Sequence, residues 1–167
     1  TIGEVSAPAF EVFAYDGENL ALNKSATAGH LNEQAYLSND DDMGTRWGSN
    51  GASHPDNDWW YVDLENAYDI YAVAIMWETA RPANYVLEAS ETAADDSWLP
   101  IKTITDVLPV ISPKYEVYVD LTVHPCRYMR VRATSTVGGH DNLAYGISMF
   151  DVQVFGTESA SPTKAVS

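Results

Sequence analysis

Apolar and polar positions alternate along this chain in short blocks, and each block predicts a strand. Residues 59–64 (WWYVDL) form an aromatic and β-branched run. Residues 70–77 (IYAVAIMW) are apolar at both parities, the pattern of a strand covered on both faces. Tyr85, Leu87 and Ala89 alternate with Val86, Glu88 and Ser90. Segments 98–104, 114–121 and 127–133 continue the series, and 148–155 closes it after a Gly-containing loop. Residues 19–27 (NLALNKSAT) are also compatible with a strand. Turn residues fill the gaps and no long helical period appears, which predicts an all-β sandwich.

The periodicity also sets domain limits. Residues 18–156 form one folding unit, large enough to bury about 70% of its unfolded surface. Residues 1–17 read as a linker remnant or an extra edge strand, since Phe10 and Val12 flank Glu11 while Pro8 restricts the segment to an edge. Residues 157–167 (TESASPTKAVS) have little to bury and read as a flexible linker to another module.

Composition narrows the partners. The formal charge of −15, from 9 basic and 24 acidic residues, argues against nucleic acid and anionic membranes. The longest apolar run, 70–77, is too short to span a bilayer. One cysteine, Cys126, precludes an intrachain disulfide. Five Trp and ten Tyr in an acidic chain point to a binding face. Trp47, Trp59, Trp77 and Trp98 sit at strand ends and are assigned to the core.

The densest chemistry lies in residues 37–47 (LSNDDDMGTRW), where Asp40, Asp41 and Asp42 adjoin a Gly and a Thr. Such a bend suits either a hard cation, which wants about six to eight oxygens, or a solvated acidic turn. It is not an EF-hand, because Thr45 stands at the glycine position and Gly51 where a closing Glu is needed. Arg46 is expected to pair with Asp63. Catalytic signatures are missing: there is no HExxH, GxSxG or P-loop, and His30, His54, His124 and His140 lack zinc spacing.

Taken together, NLALNKSAT, DDDMGTRW, WWYVDL, IMWETA, YVLEAS, CRYMRVRA and YGISMFDVQVFG resemble, in order, the F5/8 type C (discoidin-like) domains. Within them the chain is most similar to the family 32 carbohydrate-binding modules of bacterial glycan-degrading enzymes. The resemblance implies an eight-stranded jelly-roll β-sandwich, galactose-binding-domain-like, with one structural Ca²⁺. By resemblance the ion is held by Leu37 and Asp42 backbone oxygens, Asp40, Thr45, the Phe150 backbone oxygen and the Asp151 carboxylate. Glu is commoner at the last position, and the shorter Asp implies monodentate or water-assisted contact.

The resemblance places the sugar on loops 29–36, 49–58, 78–84 and 137–145. A sugar stacks its C–H face on an aromatic ring while its hydroxyls need polar partners. Tyr145 is expected as the platform, Glu78 as a hydroxyl acceptor and Arg81 as a donor, or else as the salt-bridge partner of Glu78. Glu33, His54, Asp56 and Asn142 are further polar contacts, with Asn50 and His140 beside them. The expected protein is a secreted or cell-surface, monomeric, non-catalytic module that targets an appended glycoside hydrolase or polysaccharide lyase to its polysaccharide. The alternative is a discoidin-type adhesion domain for a cell-surface protein or lipid. Acidic loops disfavour uronates and leave galactosides, β-glucans and amino-sugar polymers open.

Overall fold

The computed structural model describes residues 17–49, 58–105, 114–135 and 146–160. Among the described residues eight antiparallel strands run in chain order: β1 Ala26–Ala28, β2 Trp47–Gly48, β3 Trp59–Trp77, β4 Asn84–Ser90, β5 Leu99–Ile104, β6 Lys114–Tyr118, β7 Pro125–Ser135 and β8 Ser148–Glu158. A 3-10 segment, Asn32–Ser38, joins the first two. Among the described residues no helix is long and apolar enough to cross a membrane.

The 19-residue β3 organises the molecule. Its first part pairs with β1 and β7, and β7 leads on to β4 and β5. Its second part pairs with β6 and β8, and β8 leads on to β2. Apolar side chains from both groups meet in one core, among them Trp60, Val62 and Leu64, then Val73, Ile75 and Trp77. This is the β-sandwich. The inward parity changes from even to odd because the β3–β8 register shifts between Ile70 and Ala72.

Two blocks that the pattern separates, 59–64 and 70–77, are therefore one strand. An irregularity carries it through: Glu65 takes a left-handed φ of 71° and its N–H donates to Asp63 Oδ1 at 2.8 Å. The early segment behaves in the opposite way. Of 19–27 only the last two residues are strand, as the start of β1 Ala26–Ala28. Asn19 Oδ1 accepts from the N–H groups of Ala21 and Val154, Asn23 has a φ of 56°, and Asn39 Nδ2 donates to Ala21 and Lys24 carbonyls. Side-chain amides capture the backbone there before a ladder can.

The last strand extends past Gly156 to Glu158, because Asp69 and Tyr68 of β3 still offer partners to Thr157 and Glu158. Gly156 is needed for that approach: a Cβ there would lie 2.7 Å from the Asp69 carbonyl oxygen. The tryptophan assignments need correction. Trp47, Trp60 and Trp77 are fully buried, whereas Trp59 and Trp98 are partly exposed on the opposite face of their strands. Cys126 is buried, and burial pushes its thiol up to about 12.

Candidate functional site

One end of the sandwich gathers the loop residues. Trp47 Nε1 donates to the His30 carbonyl at 2.9 Å, Gly48 pairs with Ser148, and the Glu78 N–H donates to the Ser148 carbonyl at 3.0 Å. On the other side, the Gly29 N–H reaches the Trp59 carbonyl and the Ala133 N–H reaches the Asp58 carbonyl. Backbone pairing thus brings the 29–32 turn, the end of β3, the start of β8 and the entry to β3 to a common mouth.

Glu78 stands at that mouth, immediately after the last residue of β3. Its Oε1 accepts from the Thr79 hydroxyl at 2.7 Å and its Oε2 from the Ala80 N–H at 2.9 Å, and Arg46 NH1 lies 3.6 Å from Oε1. Burial opposes its charge, yet these donors together hold the carboxyl below its usual value. It remains an anion, partly exposed, with a preset orientation.

At the same mouth Asp58 is 1% exposed and its Oδ1 lies 2.8 Å from His30 Nδ1, while its Oδ2 has no hydrogen-bond partner among the described residues. Neither residue was among the expected sugar contacts. His30 lacks metal-ligand spacing to other histidines, and Asp58 closes a polar loop whose Asp56 has the same side chain. Only the strand pairing singles out Asp58.

Two expected pairings are corrected here. Arg46 faces Glu78, and Asp63 is instead bound by Arg127, whose Nε and NH2 donate to its two oxygens at 2.9 and 3.0 Å. Arg81 does not face solvent: it is 1% exposed and its NH1 donates to Glu116 Oε1. Glu116 Oε2 in turn accepts from Tyr85 and Tyr118 hydroxyls, forming an internal Arg–Glu–Tyr–Tyr network. As a surface donor to a sugar hydroxyl, Arg81 is thus misplaced. Glu33 is exposed on the 3-10 segment next to Tyr36, which is 59% exposed. Tyr145, His54, Asp56, Asn142, Asn50 and His140 lie outside the described residues.

The acidic loop forms a compact bend. Thr45 Oγ1 donates to Asp40 Oδ2 at 2.7 Å and contacts the Asp42 carbonyl at 3.0 Å, and the Asp42 N–H donates to Asp40 Oδ1. Ser38 Oγ donates to the Met149 carbonyl at 2.7 Å, tying this loop to β8 just before Phe150 and Asp151. Asp151 is fully buried, and its Oδ1 has no hydrogen-bond partner among the described residues while Oδ2 accepts from Gln153. Burial, reinforced by Asp41 and Asp40, pushes its carboxyl up to about 6. Among the described residues no group of three or more His, Cys, Asp or Glu side chains converges on a metal position. A cation here would therefore draw largely on backbone and hydroxyl oxygens, which a hard ion accepts.

Fold and mouth together define a class: a β-sandwich binding domain with a polar site on the loops at one end. The chain belongs to the F5/8 type C family described as NedA-like, galactose-binding domain, whose pattern matches residues 37–131. It is similar in structure to chitosan-binding module 1 of a chitosanase/glucanase from Paenibacillus sp. IK-5, with 26% identity over 83% of this chain and 99% of the other, at a TM-score of 0.68. Module 2 of that enzyme, solved with chitotriose, shares the fold at 24% identity, covering 83% and 100%, with a TM-score of 0.66. So does the family 32 module of Clostridium perfringens NanJ, solved with galactose, at 16% identity, covering 80% and 93%, with a TM-score of 0.61. No curated protein sequence matches the chain.

Proposed function

We propose that this chain is a non-catalytic carbohydrate-binding module that holds an attached, secreted bacterial glycan-degrading enzyme on its polysaccharide. The observation that carries the reading is the mouth itself: Glu78, fixed by Ala80 and Thr79, stands with Arg46 at one end of a carbohydrate-binding fold, with the His30–Asp58 pair close by. An acceptor and a donor held at 3.6 Å match the alternating needs of sugar hydroxyls. A single site of this kind binds weakly, on the order of −4 kcal/mol at millimolar affinity, so tethering to other modules supplies the useful avidity.

The ligand class that fits best is an amino-sugar polymer of the chitosan type. A net charge of −15 and carboxylates at the mouth favour a cationic glycan. The 26%-identical neighbour bears a chitosan-binding name, which supports the same choice. One structural Ca²⁺ belongs to the proposal. Leu37, Asp40, Asp42, Thr45, Phe150 and Asp151 would hold it, and the unpartnered buried oxygen of Asp151 is the feature that calls for a cation. The ion would join the acidic loop to β8 and neutralise a carboxylate that burial otherwise disfavours.

A glycan array on the protein, run in Ca²⁺ and again with chelator, tests the reading. Hits sharing an amino-sugar backbone are expected in both conditions, with thermal stability falling in chelator. A blank array with folded protein would overturn it in favour of a protein or lipid partner.

A further inference from the structure

The mouth continues onto a sheet face that the loop site does not use. Along β3, Trp60, Val62 and Leu64 point into the core, so Trp59 and Tyr61 project from the opposite face. Along β7, Met129, Val131 and Ala133 are inward, so Tyr128, Arg130 and Arg132 project outward beside them. Trp98, at the entry to β5, completes the group. Trp59, Tyr61, Trp98 and Tyr128 are all partly exposed.

These rings form a connected strip. The Trp59 and Tyr61 rings are parallel within 7° with centroids 5.5 Å apart. Tyr61 lies 5.4 Å from Trp98 and 5.9 Å from Tyr128. The Arg130 guanidinium covers Trp98 at 4.1 Å from its centroid. Glu88 fixes both flanking arginines, accepting from Arg130 Nε at 2.7 Å and from Arg132 NH2 at 2.9 Å. Although the chain is strongly acidic, three of its five arginines, Arg127, Arg130 and Arg132, are on this face.

The strip begins at the mouth. Trp59 directly follows Asp58, and its indole lies against the Gly29 turn, where a Cβ would come within 3.0 Å of Nε1. We propose that this strip is an extended glycan subsite, over which a polysaccharide chain anchored at the mouth runs down the outer face of the sheet. Aromatic faces and edges take sugar C–H groups, while guanidinium groups held in place by Glu88 donate to hydroxyls, which is the chemistry of a glycan rather than of an apolar protein interface. The inference rests on the carbohydrate-binding reading, and it adds several sugar positions to a site that the loops alone would confine to one or two.

Titration calorimetry with glucosamine oligomers from dimer to hexamer separates the two. Wild-type affinity is expected to rise with chain length. Tyr61→Ala and Trp98→Ala are each expected to weaken hexamer binding about three- to tenfold while leaving dimer binding unchanged. Tyr61→Phe, which keeps the ring, is expected to restore the gain, and unchanged thermal unfolding of each variant guards against misfolding. Glu78→Ala should weaken all lengths alike. A wild type with no length dependence, or alanine variants that retain it, would overturn the strip and leave the mouth standing. Hexamer binding lost in Tyr61→Ala, with no dimer binding in any form and no effect of Glu78→Ala, would keep the strip and overturn the mouth. Failure of wild type to bind any oligomer would overturn both.

Discussion

Asp58 and His30 meet across the mouth of the sandwich, carboxylate Oδ1 to imidazole Nδ1 at 2.8 Å, with the aspartate 1% exposed and the histidine side chain 38% exposed. The pair turns a buried anion toward a half-buried ring and pins the turn after β1 to the start of β3. Removing the carboxylate leaves the imidazole without that anchor. Asp58→Ala is expected to lower stability by about 1–3 kcal/mol, read as a fall in thermal midpoint, and to weaken glycan binding through the displaced turn. Asp58→Asn should cost less, because an amide can still hydrogen-bond Nδ1.

Calcium should act on stability before it acts on affinity. Saturation at a hundredfold excess over Kd contributes about 2.7 kcal/mol, or about 5–10 °C in the midpoint of a domain this size. Chelation is expected to remove that increment. Asp151→Ala should abolish the Ca²⁺-dependent rise without abolishing folding, as differential scanning calorimetry with and without the ion would record.

The proposed sugar contact of Glu78 and its hydrogen bond from the Ala80 N–H can be separated by mutation. Glu78→Gln keeps an acceptor for the Ala80 N–H and is expected to fold normally while weakening amino-sugar binding about tenfold, by loss of charge. Glu78→Ala should in addition lower stability by about 1 kcal/mol, since the Ala80 donor loses its partner. Affinity and melting measured on the same preparations would distinguish these effects.

Acid sensitivity should centre on Glu88. Burial raises the carboxyl's pKa, but Arg132 and Arg130 together hold it below the ordinary 4.5. A depressed folded value means that its stabilisation is fully present above about pH 4.5 and is lost as pH falls through the lower folded value. Denaturant midpoints recorded over roughly pH 5 to 3 should fall less steeply in Glu88→Gln than in wild type. At neutral pH the same variant should be about 1–3 kcal/mol less stable, having left two guanidinium groups without their anion.

Gly156→Ala is expected to destabilise by about 1–3 kcal/mol, because its methyl would meet the Asp69 carbonyl at 2.7 Å and neither backbone can yield without breaking the β3–β8 ladder. Chemical denaturation of the purified variant checks it.

The amino-acid sequence by itself determined most of the strands and, from them, the sandwich, because alternation with period two is a local property that each strand writes into its own residues. It also named Glu78, which the structure sets at the mouth of the sandwich with its N–H on the Ser148 carbonyl. Tertiary structure decided what depends on register and on partners far along the chain. Residues 59–64 and 70–77 become one strand only because β7 and β8 continue to pair across the irregularity at Glu65. Arg81 looks like a loop cation in sequence, yet Glu116 on β6 draws it inside. Trp59 and Trp60 are neighbours with the same side chain, and only the pleat sends one to the core and the other to the outer face. Asp58 and His30 carry no local mark of pairing, because their contact is made by the β1–β3 register and by nothing in either segment alone.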